Sequence, residues 1–161
     1  MSQIELDAQA ALESERLALI RHEVQLRDAG LHCYCMAALA LFLIIRTLPI
    51  GELAESALLF TLCLVLLPIY LVVGRGFSRL DPWVRFPGAV MAFLGLLVQP
   101  TGCMVFSLIR SERGDRVLSP GYRKRVAATP QVHVQRRWSD WRLVFMTSLM
   151  VVAIALVLAS L

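Results

Sequence analysis

The sequence predicts an all-α integral membrane protein: three transmembrane helices plus a re-entrant helical hairpin, with an N-terminal amphipathic helix. Three observations predict it. Hydrophobic residues make up 58% of the 161 residues and charged residues only 17%, with a mean hydropathy of +0.67; soluble domains hold about 45–50% apolar and about 25% charged residues. The apolar excess is gathered into four charge-poor blocks, at 33–50, 53–73, 88–109 and 143–161. The polar segments carry opposite charge. Residues 1–32 hold six acids against three arginines, and residues 110–142 hold nine bases against three acids.

Residues 1–31 are expected to form a cytoplasmic amphipathic helix. Ser2 and Glu5 fit a capping box, in which hydroxyl and carboxylate each satisfy a free backbone N–H. Glu13 with Arg16, and Glu23 with Arg27, have the spacing of helix-surface ion pairs. Ile4, Ala8, Ala11, Leu12, Leu17, Ile20, Val24 and Leu31 recur at roughly helical intervals. The acidic balance disfavours an anionic membrane surface, so the stripe points to a protein partner, a second copy of the chain included. Gly30 reads as a loosened junction to the first span. No cleavable signal peptide is visible ahead of residue 33, and the first span is expected to serve as the membrane anchor.

The first span, 33–50, is interrupted by Arg46. An arginine at the bilayer centre costs about 2.5–3.5 kcal/mol. Arg46 lies near one end, where it can snorkel to the interface or pair with Glu52 or Glu55. The second span, 53–73, has about the twenty residues one crossing needs, with Pro68 as an expected kink. The connection through Pro49, Gly51 and Glu52 is short enough to make the two spans an antiparallel hairpin. Residues 74–87 read as a connector in which Arg75, Arg79 and Arg85 face one acid, Asp81.

The third block, 88–109, is broken near its middle by Gln99, Pro100, Thr101 and Gly102. Pro100 removes a helical hydrogen bond and Gly102 permits a turn. Basic connectors lie on both sides of the block and both resist translocation. A block that enters and returns keeps both in the cytoplasm, and each half, about 15 Å of helix, reaches the midplane. The alternative is four transmembrane helices, with the block as a kinked crossing. Residues 110–142 read as a basic cytoplasmic loop punctuated by Pro120, Gly121 and Pro130. Trp138 and Trp141 suit the headgroup region ahead of the last span, 143–161. Residues 32–161 thus form one membrane domain, multi-pass in the bacterial inner membrane with a cytoplasmic N-terminus.

Within residues 81–134, Pro82-Trp83-Val84-Arg85, the Gln99–Cys103 break and Ser119-Pro120-Gly121-Tyr122 running on to Val126-Ala127-Ala128-Thr129-Pro130 form a pattern. It resembles a widespread group of small bacterial inner-membrane proteins with no assigned activity. Their pattern is Pro-Trp-x-Arg, then Phe-Pro-x-Gly-Thr, then Ser-Pro-x-Tyr-x-x-Val-x-Ala-x-Thr-Pro-His. This chain departs from it at Gln99, Cys103 and Gln131. The resemblance implies a shared membrane hairpin followed by an ordered loop, and implies no chemistry.

Chemistry-bearing residues are sparse. His32, Cys33 and Cys35 are legitimate soft-metal ligands, but the two cysteines diverge by about 200° on a helix, so structural thiols are expected and no metal. Cys63 and Cys103 sit in other apolar blocks. Gln99 and Thr101 at the hairpin tip suit interhelical hydrogen bonding. Arg123, Lys124, Arg125, Arg136 and Arg137, flanked by Trp138 and Trp141, suit contact with anionic lipids or a partner; no aromatic-interleaved RNA motif or zinc-finger spacing points to nucleic acid. No catalytic residue, cofactor site or enzymatic activity is expected. The leading functional expectation is a non-catalytic interaction protein: a scaffold, an assembly factor or an accessory subunit of a membrane complex. A small oligomeric transporter or channel, and an immunity protein against a membrane-targeting toxin, are the alternatives.

Overall fold

The computed structural model describes residues 3–47, 53–96 and 101–132, together with Leu149 and Ala153. The described residues are helical, with no strand. The helices are α1 (Gln3–Thr47), α2 (Leu53–Arg79), α3 (Arg85–Leu96), α4 (Thr101–Arg110), α5 (Glu112–Val117) and α6 (Tyr122–Ala128), with a 3-10 turn at Pro82–Val84 ahead of α3. Two helical stretches, Glu5–Arg46 and Ala57–Arg79, are long and apolar enough to cross a membrane.

α1 and α2 pack antiparallel along most of α2. Ala40 and Ile44 of α1 meet Cys63 of α2, with Phe60 beside them, and Cys33 meets Gly74. The pair is tightest where Gly30 faces Gly74. A Cβ on Gly30 would stand 2.8 Å from the Gly74 carbonyl oxygen, and one on Gly74 would stand 3.1 Å from the Gly30 carbonyl oxygen. Gly30 is therefore a contact point, not a loosened junction: α1 runs through it without interruption. The helix withstands the glycine because α2 covers it, and packing outweighs propensity.

α2 also runs further than its apolar block. It continues through Gly74 and Gly76 to Arg79, and Pro68 is accommodated inside it. Gly76 allows Trp83 and Val84 to come close; a Cβ there would lie 2.8 Å from the Trp83 ring. The helix ends in a Schellman arrangement. Leu80 N–H donates to the Phe77 carbonyl at 3.1 Å and Asp81 N–H donates to the Gly76 carbonyl at 2.9 Å. Leu80 takes the left-handed position with φ 55°. Glycine is usual there, but the Leu80 side chain is buried in the main core beside Phe77 and Val84.

The block at 88–109 forms two helices, α3 and α4, which pack back on each other. Their register is antiparallel: Gly88 lies by Ile109 and Gly95 by Gly102, while the Phe93 and Phe106 rings stand 6.3 Å apart between centroids. Gly102 is inside α4, so it is a packing residue and not the turn; the Cα of Gly102 is 3.9 Å from where a Cβ on Gly95 would stand. Gln99 and Pro100 lie outside the described residues, as do the segment between α1 and α2, the residues from 133 to the last span, and all but two residues of that span. Gly88 seats α3 against α2, where Phe77 fills the space a Cβ would need.

The basic segment after α4 is ordered by two short helices. Ser111 caps α5, its hydroxyl accepting from the Gly114 N–H at 3.0 Å. Gly114 is buried against the end of α4, with the Leu108 carbonyl in the place of a Cβ. Val117, Leu118 and Tyr122 then join the core formed by Leu26, Phe77 and Ile109.

Candidate functional site

The most organised polar site lies between the N-terminal half of α1 and α6. Arg16, His22, Glu23 and Asp28 are buried on α1, among Leu19, Ile20, Val24, Leu26 and Ala29. Charges on the covered face of a helix are tolerated only if they are paired. Here they are. The Tyr122 hydroxyl donates to Glu23 Oε2 at 3.0 Å. Arg16 Nε lies 3.5 Å from the same oxygen, and Arg27 Nη2 lies 2.9 Å from Glu23 Oε1. Arg16 Nη1 reaches across to Thr129, donating to its carbonyl and, at 3.0 Å, to its hydroxyl. The Thr129 hydroxyl in turn donates to the Arg125 carbonyl at 2.9 Å, closing the end of α6. No buried side-chain nitrogen or oxygen among the described residues lacks a partner.

Arg16 and Glu23 are seven residues apart on α1, and Tyr122 and Thr129 are seven apart on α6 and its cap. The two pairs mate head to tail, Tyr122 on Glu23 and Thr129 on Arg16. This is a latch that holds the Ser-Pro-x-Tyr to Thr-Pro segment against α1. Burial and the Glu23 carboxylate hold the Tyr122 phenol well above its usual pKa, so it remains a proton donor to Glu23.

Satellite contacts extend the latch. Arg125 pairs with Glu15, and Gln131 donates to Glu13. Arg123 Nη1 sits 2.8 Å from Asp81 Oδ1, and Arg85 Nη2 sits 2.5 Å from Asp115 Oδ1. His22 Nε2 lies 2.9 Å from the Leu108 carbonyl and 3.1 Å from the Ser111 hydroxyl. Burial pulls the His22 pKa down, the Leu108 carbonyl opposes that, and Arg113 adds to it. His22 therefore favours the neutral form and joins α1 to the α4–α5 corner.

The structure sorts the residues that the sequence singled out. Arg123 and Arg125 are engaged in ion pairs within the chain, whereas Lys124 is exposed. Arg136, Arg137, Trp138 and Trp141 lie outside the described residues. Arg46 occupies the last turn of α1 and is exposed. The Glu52 and Glu55 side chains lie outside the description, as do the side chains of Gln99, Pro100 and Thr101. Cys33 is buried against α2, while Cys35 is partly exposed on another face of the uninterrupted helix, and all four cysteines are free thiols. Of the apolar stripe read on α1, Ile20 and Val24 are buried, whereas Leu17 is 57% exposed. The residues that pure apolar counting missed are Arg16, His22 and Glu23. The available signal was the matching seven-residue spacing of Arg16/Glu23 and Tyr122/Thr129.

No protein-family model, curated protein or solved structure matches the chain.

Proposed function

We propose that this chain is an integral membrane protein of the bacterial inner membrane that acts as a non-catalytic interaction protein, serving as a scaffold, an assembly factor or an accessory subunit. In this reading the spans are 33–50, 53–73 and 143–161, and α3–α4 is a re-entrant hairpin. The carrying observation is the Asp81–Arg123 ion pair, with Arg85–Asp115 beside it. These pairs join the connector before the hairpin to the connector after it, which supports a single compartment for both. A hairpin that starts beside Phe77 and whose last α3 turn shares a cavity with Leu66 and Tyr70 advances about 15 Å along α2. That is half of a hydrocarbon core of about 30 Å.

The outer surface supports the same reading. Leu58, Leu62, Val65 and Val72 on α2, and Phe86, Val90 and Phe93 on α3, are exposed, forming an apolar belt of the kind that hydrocarbon covers. Past the hairpin, a groove of about 400 Å³ is lined by Leu39, Leu43, Leu62, Leu66, Met91 and Leu94, a surface suited to acyl chains and not to ions.

The polar residues of the latch bind one another and fix the basic segment on α1. Beyond that cap α1 continues to Gln3, with Leu6 exposed between Glu5 and Asp7. We assign partner contact to this projecting arm. A photo-crosslinking residue at Leu6, in native membranes, is expected to give a discrete protein adduct. Lipid adducts alone at Leu6, with a monomeric chain in mild detergent, would contradict the assignment.

A further inference from the structure

We infer that the recess between α1, α2 and α6, lined by Arg27, Arg79 and Arg123, binds a phosphate-bearing anion. The recess has a volume of about 250 Å³ and a partly apolar lining of Leu80, Val126 and Ala127. Its three guanidinium groups come from three different helices. Two are gripped by carboxylates: Arg27 by Glu23 at 2.9 Å and Arg123 by Asp81 at 2.8 Å. A guanidinium has five N–H donors in a fixed plane, so a carboxylate engaging one terminal nitrogen leaves donors for a second anion and fixes their plane. Arg79 makes no ion pair among the described residues. An exposed arginine without a carboxylate, beside two arginines held in place by theirs, presents a cluster of positive charge that a planar-fork contact to phosphate neutralises well.

The backbone is also specialised here. Leu80, in the lining of the recess, holds φ 55°, a conformation that side chains other than glycine rarely adopt. The turn it makes sets Arg79 on the last turn of α2 and points the chain to Asp81, the residue that holds Arg123. Strained residues of this kind persist where their surroundings demand them, and they cluster at binding sites. The recess lies about six residues, or roughly 9 Å of helix, beyond the end of the apolar block at residue 73. In the proposed membrane arrangement this is the headgroup layer of the anionic cytoplasmic leaflet, which makes a phospholipid headgroup one source of the phosphate; a water-soluble phosphate is the other.

The test uses the full chain purified in neutral detergent, with bound species counted by native mass spectrometry. Phosphatidylglycerol and inorganic phosphate are the two probes. Arg79→Gln is expected to lower phosphatidylglycerol retention at least about tenfold, the loss of one charge-assisted contact. Arg79→Lys should restore part of it. Arg116→Gln removes the same charge from an exposed site on α5 outside the recess and should change retention little. Inorganic phosphate binding with the same dependence on Arg79 supports the site and assigns it to soluble phosphate. Equal effects of Arg79→Gln and Arg116→Gln, or no dependence on Arg79 for either probe, overturn the inference. It rests on the membrane reading only for the lipid source. A chain that inserts in bilayers but shows no Arg79 dependence loses the recess and keeps the topology; phosphate binding by a chain that does not insert has the opposite meaning.

Discussion

Removing the hydroxyl of Tyr122 tests whether the latch orders the basic segment. Tyr122 and Glu23 are both almost wholly buried, and their contact is a hydroxyl donating to a carboxylate at 3.0 Å. A hydrogen bond to a charged group contributes about 1.5–3 kcal/mol. At about 1.4 kcal/mol per decade, Tyr122→Phe should raise local opening of residues 118–132 by roughly 10- to 150-fold. Glu23 keeps Arg27 at 2.9 Å and Arg16 at 3.5 Å, so the helix itself should persist. Glu23→Leu should be worse, by about 3–5 kcal/mol, because it leaves Arg16 buried without its carboxylate. The double variant should cost less than the sum, since both changes remove one shared contact. Amide hydrogen exchange in nanodiscs reads the opening directly. Exchange across 118–132 within about twofold of the parent protein in Tyr122→Phe would refute the latch, given the lower bound above.

Three further outcomes follow from single sites. Gly30→Ala places a Cβ 2.8 Å from the Gly74 carbonyl oxygen and should cost about 1–3 kcal/mol by overpacking, read as a lowered Tm in detergent, whereas Gly95→Ala, whose nearest neighbour is at 3.9 Å, should be close to neutral. Leu80→Gly relieves about 1–2 kcal/mol of left-handed strain but removes a buried side chain that is worth about 2–5 kcal/mol, so a net loss of stability is expected; a gain would mean that the side chain contributes little to the core. His22 has a folded pKa below its ordinary 6.5, so the unfolded chain binds the proton first as pH falls through 6.5. Stability should therefore decline below that pH, with faster amide exchange at 108–114, and His22→Gln should flatten the profile.

Much of this architecture is legible in the apolar blocks and their interruptions. The closeness of 33–50 to 53–73 announces the α1–α2 hairpin. The Pro-Gly break in 88–109 announces two short helices, with a single kinked crossing as the alternative reading of the same break. The glycines were harder to read. Gly30, Gly74 and Gly102 look like breakers in sequence, yet each sits inside a helix where another backbone approaches, and that approach exists only in three dimensions. The charged residues of α1 were harder still. Period counting treats Arg16 and Glu23 as a solvated face, because it cannot see that Tyr122 and Thr129, more than ninety residues away, supply their partners. The segment 110–142 reads as a loop for a related reason: α5 and α6 are too short to hold themselves, and they depend on contacts with α1 and α4.

In the proposed topology the connector before α3 and the segment after α4 share one side of the membrane. Arg79→Cys and Arg123→Cys, each introduced alone after Cys33, Cys35, Cys63 and Cys103 have been replaced by serine or alanine, place those two points. An impermeant thiol reagent should label both in inverted inner-membrane vesicles and neither in intact cells. Labelling of the two positions from opposite sides would make α3–α4 a crossing and rule out the re-entrant hairpin.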